Sequence, residues 1–521
     1  MNIKKLTAWA SALRLTTSLV ACGGDDSEKE LNNRTPESST EKEFNMALFW
    51  LDANIEPTEG WNGWTLTRTG VGENLVQIDE NMNFKPVVAE SWEQTDDTTT
   101  IFTIRKDVKF HNGKTVDAEA VKESLERTLE ITDREDVKFP VDSIIAEGQT
   151  LTIRTTEPFP TLINNLADPA FIIVDAEAAK GNDNFKNQPI ATGAFQVVSF
   201  DAEKGLELKK HTEHWSGEIA VDKVNAKYLS DDATRVMALQ SGEIDFATQI
   251  PAKDLTLFEN NSDYNLQKGP NLRIFLLSLN QERSYMKDLK FRQALVHGID
   301  KETYASSLVN GIPAAGPFNS ELPFSYQGKE TYQYDPEKAN ELLDDAGYKD
   351  TDGDGIREAD GKNLVLKFVY ATNHGNDAKS IGVAMQDQYK EIGIGLEMVQ
   401  VENYADIVDQ GDFDMVWERW TSAPTADPAY FVEAAYATGA AGNSGRYSNA
   451  EIDTIVNQFK TTFDKEQRNA LGTKASELLM NDVASLFLYY QEGTVVTKKS
   501  VSGVERFISE IYYIDERLKK E

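Results

Sequence analysis

The sequence predicts an α/β protein of two or three lobes, and three observations carry that prediction. A chain of 521 residues is longer than one ordinary hydrophobic core can organise. Hydrophobic residues make up 40% of it, enough to furnish several cores. Segments rich in β-branched and aromatic residues alternate along it with segments whose apolar residues recur at helical spacing.

The clearest such unit spans 89–125. Ala89-Glu90-Ser91-Trp92 passes through a polar turn at Asp96-Asp97 into Thr100 to Arg105, whose composition is that of a strand. His111-Asn112-Gly113-Lys114 forms the next turn. Asp117 then stands where an N-cap belongs, and Ala118, Val121, Leu125 and Leu129 repeat along one helical face. Strand, turn and helix in that order occur in many folds and specify no activity.

The literal string carries more. Ala-Glu-Ser-Trp, then Arg-Lys-Asp-Val-Lys-Phe-His-Asn-Gly from Arg105 to Gly113, then Asp-Ala-Glu-Ala-Val-Lys from Asp117, resembles the signature of the family 5 extracellular solute-binding proteins. These are the peptide- and nickel-type receptors of ABC importers. The resemblance implies a two-lobed α/β fold, periplasmic-binding-protein-like (type II, cluster C), with an extra small subdomain in lobe 1. It implies lobe 1 over 43–275, the small outer subdomain at about 69–184, lobe 2 over 276–490, and a return to lobe 1 over 491–521.

The formal net charge of -33 argues against a nucleic-acid partner, because a phosphate backbone would be repelled over most of the surface. It argues equally against a basic patch holding the chain to an anionic membrane. The single cysteine, Cys22, excludes an intrachain disulfide and any site built from several thiolates.

Residues 1–21 open with Lys4 and Lys5, continue through apolar and small residues interrupted by Arg14, and reach Leu19-Val20-Ala21-Cys22. That pattern reads as an export signal rather than a membrane span. Leu-Val-Ala-Cys also resembles a bacterial lipobox, which implies lipid attachment at Cys22 and a place on the outer face of the cytoplasmic membrane. From 22 to 42 the chain is nearly devoid of apolar residues and is expected as a flexible tether.

Phe44 to Leu51 reads as the first strand of the folded body. Trp61, Trp64 and Arg68 follow closely, and two readings fit them: aromatic faces and a guanidinium lining a ligand cleft, or a core edge with a surface arginine. Val71 to Asn83 and Leu151 to Thr155 supply strand material, and Thr132 to Asp136 a charged loop. Thr192-Gly193-Ala194-Phe195 and His214-Trp215 resemble further family steps. His211 and His214, lacking a third ligand nearby, read as surface or turn residues rather than metal ligands. Asp231 or Asp232 caps a short helix carrying Val236 and Leu239, which Gly242 ends.

Arg273 to Asn280 reads as a buried strand, and Phe291 to Leu295 resembles a family helix. Asp335-Pro336 opens a helix that presents Ala339, Leu342, Leu343 and Ala346 and stops at Gly347. Asp350-Thr351-Asp352-Gly353-Asp354-Gly355 begins like a calcium loop, but the twelfth position is Gly361, so a solvated acidic turn is expected. Leu364 to Tyr370 reads as a strand and Lys379 to Ile392 as a helix. Phe413 to Trp420 forms a strand ending in Arg419 and Trp420, before a loop with Asp427-Pro428. Ser448 to Glu451 reads as a capping box, and Leu486 to Tyr490 and Val495-Val496 as two strands.

No Gly-x-Ser-x-Gly elbow, P-loop, Rossmann fingerprint or His-Glu-x-x-His helix is present, so binding is expected rather than catalysis, with no cofactor and no metal. The resemblance implies hinge closure on a short peptide, with Asp427 facing its ammonium, and delivery by a monomeric receptor to ABC permease transmembrane subunits. The alternative is a nickel or other metal chelate, for which Trp420 and Tyr404 match family positions. That alternative lacks an arginine in 166–171 and a histidine in 439–447, which Arg446 or Arg68 would have to offset.

Overall fold

Two strands hold this molecule together: Tyr264–Leu279 and Ser485–Lys498, 16 and 14 residues long, pair antiparallel along most of their length. The computed structural model describes residues 41–309, 311–328 and 332–521. The expected export signal, Cys22 and nearly all of the expected tether lie outside the described residues.

In chain order, β1 (Glu43–Leu48) leads to the short helix α1 (Asn62–Arg68). A separate sheet follows, built from β2 (Ala89–Asp96), β3 (Thr99–Ile104), β4 (Val141–Glu147) and β5 (Thr150–Thr155) in the order β2-β3-β5-β4. Helix α2 (Ala118–Ile131) packs on it through Ala118, Val121 and Leu125, and the Asp117 side chain accepts the Ala120 amide at 2.9 Å. The cap satisfies one of the amides that a helix start leaves free.

The main sheet resumes with β6 (Phe195–Asp201), β7 (Gly205–Lys210), β8 (Lys223–Tyr228), helix α3 (Asp232–Ser241) and β9 (Phe246–Thr248). Asp231 caps α3, and Gly242 ends it in the left-handed region at φ 80°. The long β10 (Tyr264–Leu279) then enters the second lobe, followed by α4 (Leu289–His297), β11 (Gly311–Pro313) and α5 (Pro336–Asp345), capped by Asp335. Helix α6 (Gly375–Glu391) connects the parallel strands β12 (Val365–Ala371) and β13 (Gly395–Val401). After α7 (Tyr404–Gln410) and β14 (Met415–Thr421) come α8 (Ala429–Tyr436), α9 (Ala450–Phe459) and α10 (Lys465–Asn481), and the long β15 (Ser485–Lys498) returns. Asn449, not Ser448, caps α9 by accepting the Glu451 and Ile452 amides, so no capping box forms there.

The sheet runs β13-β12-β14-β10-β15-β9-β1-β8-β7-β6, with β11 beside β15. Tyr264 to Pro270 pair with Lys498 to Glu492, and Ile274 to Ser278 with Tyr490 to Ser485; the register shifts in between. Proline has no amide to give the ladder, so the break falls where the sequence places Pro270. The two strands expected at 486–490 and 495–496 are thus one, because the intervening residues stay extended opposite Lys268 to Pro270. Phe44, Phe195 and Phe246 centre one core, and Leu277, Phe368 and Trp417 another. A third joins Phe102 and Leu125 of the small sheet and its helix to Phe431 and Ile452 of α8 and α9.

His211 and His214 are not surface residues. With the half-buried His111 they form a row of imidazoles whose centroids lie 5.1 and 6.0 Å apart. His214 Nε2 donates to the buried Glu73 carboxylate at 3.1 Å, which also accepts Trp215 Nε1 and Thr192 Oγ1. His111 donates from Nε2 to the Gly193 carbonyl and accepts the Ala191 amide at Nδ1, so its neutral form is the satisfied one. Burial, helped by His211, pushes His111 from its ordinary 6.5 down to about 3. The unfolded chain binds that proton first, so this stabilisation is complete above pH 6.5 and drains as pH falls toward 3. Urea unfolding is expected to show the loss between pH 7 and 5, and His111→Gln to flatten it; equal slopes in the two proteins would refute the assignment.

Candidate functional site

A cavity of about 540 Å³ opens between α1 and the C-terminal end of β14. Trp61, Trp64, Arg68, Arg419 and Trp420, five of the eight expected ligand-binding residues, line it together with Arg134.

Helix α1 is set in place by close docking. A Cβ on Gly63 would stand 2.2 Å from the Pro169 carbonyl oxygen, so only glycine lets the helix approach the 169–171 segment. Thr67 Oγ1 donates to the Ile511 carbonyl at 2.8 Å and fixes the other end. Arg68 is consequently 4% exposed. Its Nε donates to the Glu510 carbonyl, and its guanidinium lies 5.1–5.3 Å from the rings of Phe49, Trp64 and Tyr513. No carboxylate pairs with it. Cation–π contacts offset part of the burial of a charge, but not the whole of it.

Across the cavity, Arg419 also has no ion pair or hydrogen bond within the protein, and burial together with neighbouring Arg273 holds its pKa below the usual guanidinium range. Arg273 stands 3.5 Å from Glu510 and is only loosely paired. Trp420 Nε1 reaches the buried Glu418 carboxylate at 3.4 Å, and Ser278 donates to the same group at 2.6 Å. Burial pushes the Glu418 carboxyl up, while those donors oppose it.

Arg134, expected in a charged loop, is buried in the cavity wall. It bonds Asp168 at 3.0 Å and Asp136 at 2.6 Å, and lies 3.9 Å over the Trp61 ring. Burial pushes the Asp168 carboxyl up against the pull of Arg134. Arg134, Arg273 and Tyr430 are among the lining residues that sequence reading missed. The only hint was an aspartate at 168, which the fold brings to Arg134 from another segment.

Three expected site residues are engaged elsewhere. Both oxygens of Asp427 accept from Arg468 at 2.7 Å, one also accepts the Ala429 amide, and the residue is 6% exposed. Its carboxylate is therefore paired within the protein, and the residue lies in the lining of a second cavity. Arg446 donates to the Val408 and Asp409 carbonyls, closing the end of α7. Tyr404 gives its hydroxyl to the Trp417 carbonyl at 2.9 Å and does not line the cavity.

A second cavity of about 580 Å³ lies between 157–168 and helices α8 and α9. It shares the wall residues Arg134, Asp136, Pro424 and Tyr430 with the first. Among the described residues, the carboxylates close enough to hold a cation are those of Asp350, Asp352 and Glu358, within 4.8 Å of one another on the acidic turn. Glu358, rather than the twelfth position Gly361, supplies the third.

An α/β sheet spanned by two strands, with an aromatic and guanidinium-lined cleft where its halves meet, has the build of a two-lobed solute receptor. The chain belongs to the bacterial extracellular solute-binding proteins, family 5: the description "Bacterial extracellular solute-binding proteins, family 5 Middle" matches residues 83–443. It is similar to the nickel-binding protein NikA of Staphylococcus aureus, at 28% identity over 92% of this chain and 94% of that one. It is also similar to the oligopeptide-binding protein AppA of Bacillus subtilis, at 26% identity over 82% of each chain. A nickel ABC transporter structure from Bacillus halodurans superposes with a TM-score of 0.81 at 28% identity, covering 92% of this chain and 100% of that one. The S. aureus NikA structure in complex with Ni(L-His)2 superposes with a TM-score of 0.72 at 27% identity, over 92% and 100%. These relatives are solute-binding proteins, and no helix among the described residues is long and apolar enough to cross a membrane.

Breaking a buried ion pair by removing one partner costs about 3–5 kcal/mol. Asp427→Ala is therefore expected to lower the melting temperature clearly, since Arg468 keeps only the carbonyls of Phe459 and Thr462. A variant with an unchanged melting temperature and lost ligand would return Asp427 to the binding site.

Proposed function

We propose that this chain is the receptor of an ABC importer for short peptides, holding the peptide's terminal carboxylate between Arg68 and Arg419. The observation that supports this is the absence of any carboxylate partner for either guanidinium in an aromatic-walled cavity. For the buried Arg68 an unpaired charge is costly, and a ligand carboxylate would supply both arginines a charge-assisted bond about twice as strong as a neutral one. The aromatic walls would pack against the remainder.

Closure would bend the molecule where the β10 register breaks, between Pro270 and Ile274. The lobe boundaries would be 275/276 and 490/491, with the small sheet as an outer subdomain over about 69–184. Cys22 would carry the lipid anchor, the segment to residue 42 would act as the tether, and a monomer in its closed form would be what the permease subunits recognise. The ligand would leave unaltered.

A second reading, a carboxylate-bearing metal chelate, is favoured by the similarity to S. aureus NikA, whose structure holds Ni(L-His)2. Such a complex presents two carboxylates and would satisfy the same arginines.

Purification without denaturation, with mass spectrometry for peptides and elemental analysis for nickel, separates the two readings. Arg419→Ala is expected to weaken binding of the co-purifying solute by about 10–100-fold, the worth of a hydrogen bond to a charged group. It should barely move the melting temperature, because that side chain has no partner to lose. Undiminished affinity would take Arg419 out of the site.

A further inference from the structure

Glu418 of β14 neither lines the cavity nor pairs with a cation among the described residues. Alternation along the strand puts it on the same face as Trp420, two residues on. Its Oε2 accepts the Ser278 hydroxyl of β10 at 2.6 Å and, less tightly, Trp420 Nε1 at 3.4 Å. Its Oε1 accepts the Ser444 hydroxyl, which comes from the loop between α8 and α9. A carboxylate is acceptor-only at both oxygens, so it can gather donors from three directions where an amide or a hydroxyl cannot.

The loop that carries Ser444 also closes on the ring. A Cβ on Gly442 would stand 2.7 Å from Trp420 Cη2 and 3.0 Å from Cζ2, so bare backbone covers the benzo edge of the indole. Asn443 keeps the loop compact by donating to the Ala437 and Tyr447 carbonyls at 3.0 and 2.7 Å. On a further side, the Phe431 ring of α8 lies 5.5 Å from that of Trp420. Trp420 is thus held at its nitrogen by Glu418, and at its benzo edge by backbone that Glu418 anchors through Ser444.

We propose that Glu418 is a positioning residue for solute binding, which fixes the orientation of Trp420 in the cavity wall both at the indole nitrogen and through the 437–449 loop. This rests on the reading of that cavity as the solute site, for a peptide and a chelate alike. With its N–H engaged by Glu418, Trp420 meets the solute with its face and not with a hydrogen bond. With its rotamer set beforehand, the ring has less freedom to lose when the solute arrives.

The test labels the full chain with 5-fluorotryptophan and follows the Trp420 resonance by fluorine NMR, assigned with Trp420→Phe. Two probes are used: a random library of peptides two to six residues long, read by mass spectrometry, and Ni(L-His)2, read by elemental analysis. Wild type is expected to show one narrow Trp420 signal that moves when a probe is retained. Glu418→Leu removes both acceptor oxygens and should broaden or split that signal in the free protein while the other tryptophan signals stay in place. Retention of the probe should fall about tenfold, the upper end of what an oriented aromatic contact adds. Glu418→Gln keeps an oxygen for Ser278 and Trp420 and lets Ser444 turn its hydroxyl to accept, so it should restore the narrow signal and most of the retention. Ser444→Ala, which leaves Glu418 and Trp420 in place, covers the case in which Glu418→Leu does not fold; it should broaden the same signal and weaken retention about threefold. A Trp420 signal unchanged in the variants, even with retention lost, would assign Glu418 to stability alone and overturn the proposal. A disturbed signal with undiminished retention would overturn it too, and in both cases the solute reading stands. Retention of neither probe by wild type would overturn the solute reading and this role with it.

Discussion

The pairing of β10 with β15 is the constraint on which the rest depends. Both strands run through the middle of the main sheet, where their ladder joins its two halves. On one side of Pro270 the ladder is flanked by β9 and β1, and on the other side of Ile274 by β14 and β12. Closure, as proposed, would bend the sheet where this register shifts, with β11 alongside β15 at 489–491. The separate cores centred on Phe44 and Trp417 keep each half rigid while it does so.

That arrangement explains why the unpaired guanidinium groups sit where they do. Arg68 ends a helix of the first lobe and Arg419 ends a strand of the second, so an anion bound as proposed would contact both halves and stabilise their approach. A protein selected for stability alone would have given Arg68 a carboxylate, as it gave Asp168 to Arg134 and Asp427 to Arg468. Leaving Arg68 to the rings of Phe49, Trp64 and Tyr513 keeps it desolvated and unspent. The unmet interaction is then available to a ligand.

Local features were legible in the sequence because they depend on neighbours in the chain. Asp117, Asp231 and Asp335 cap the helices expected of them, and Gly242 and Gly347 take the left-handed conformation expected at helix ends. The clustering of Trp61, Trp64 and Arg68 with Arg419 and Trp420 was legible through the family signature rather than through periodicity. Features set by distant partners were not. Arg468, 41 residues from Asp427 in sequence, decides that the aspartate is structural. Arg446 satisfies carbonyls at 408 and 409, and Arg134 finds Asp168. The three histidines are drawn from two loops 100 residues apart at their farthest ends and closest only in space, so their spacing in the chain said nothing of their burial.

Net charge gives a further reason to prefer a zwitterion to a polyanion at this site. The chain as a whole carries -33, whereas the inner cavity gathers Arg68, Arg134, Arg273 and Arg419. A multiply anionic solute would meet repulsion during its approach and attraction only within the cleft, since about 8–10 Å of physiological saline screens the one from the other. A solute with no net charge meets no such barrier outside, and its carboxylate still finds the arginines once inside. The acidic surface would then select for solutes whose charges cancel at a distance and separate at close range, as in a free linear peptide.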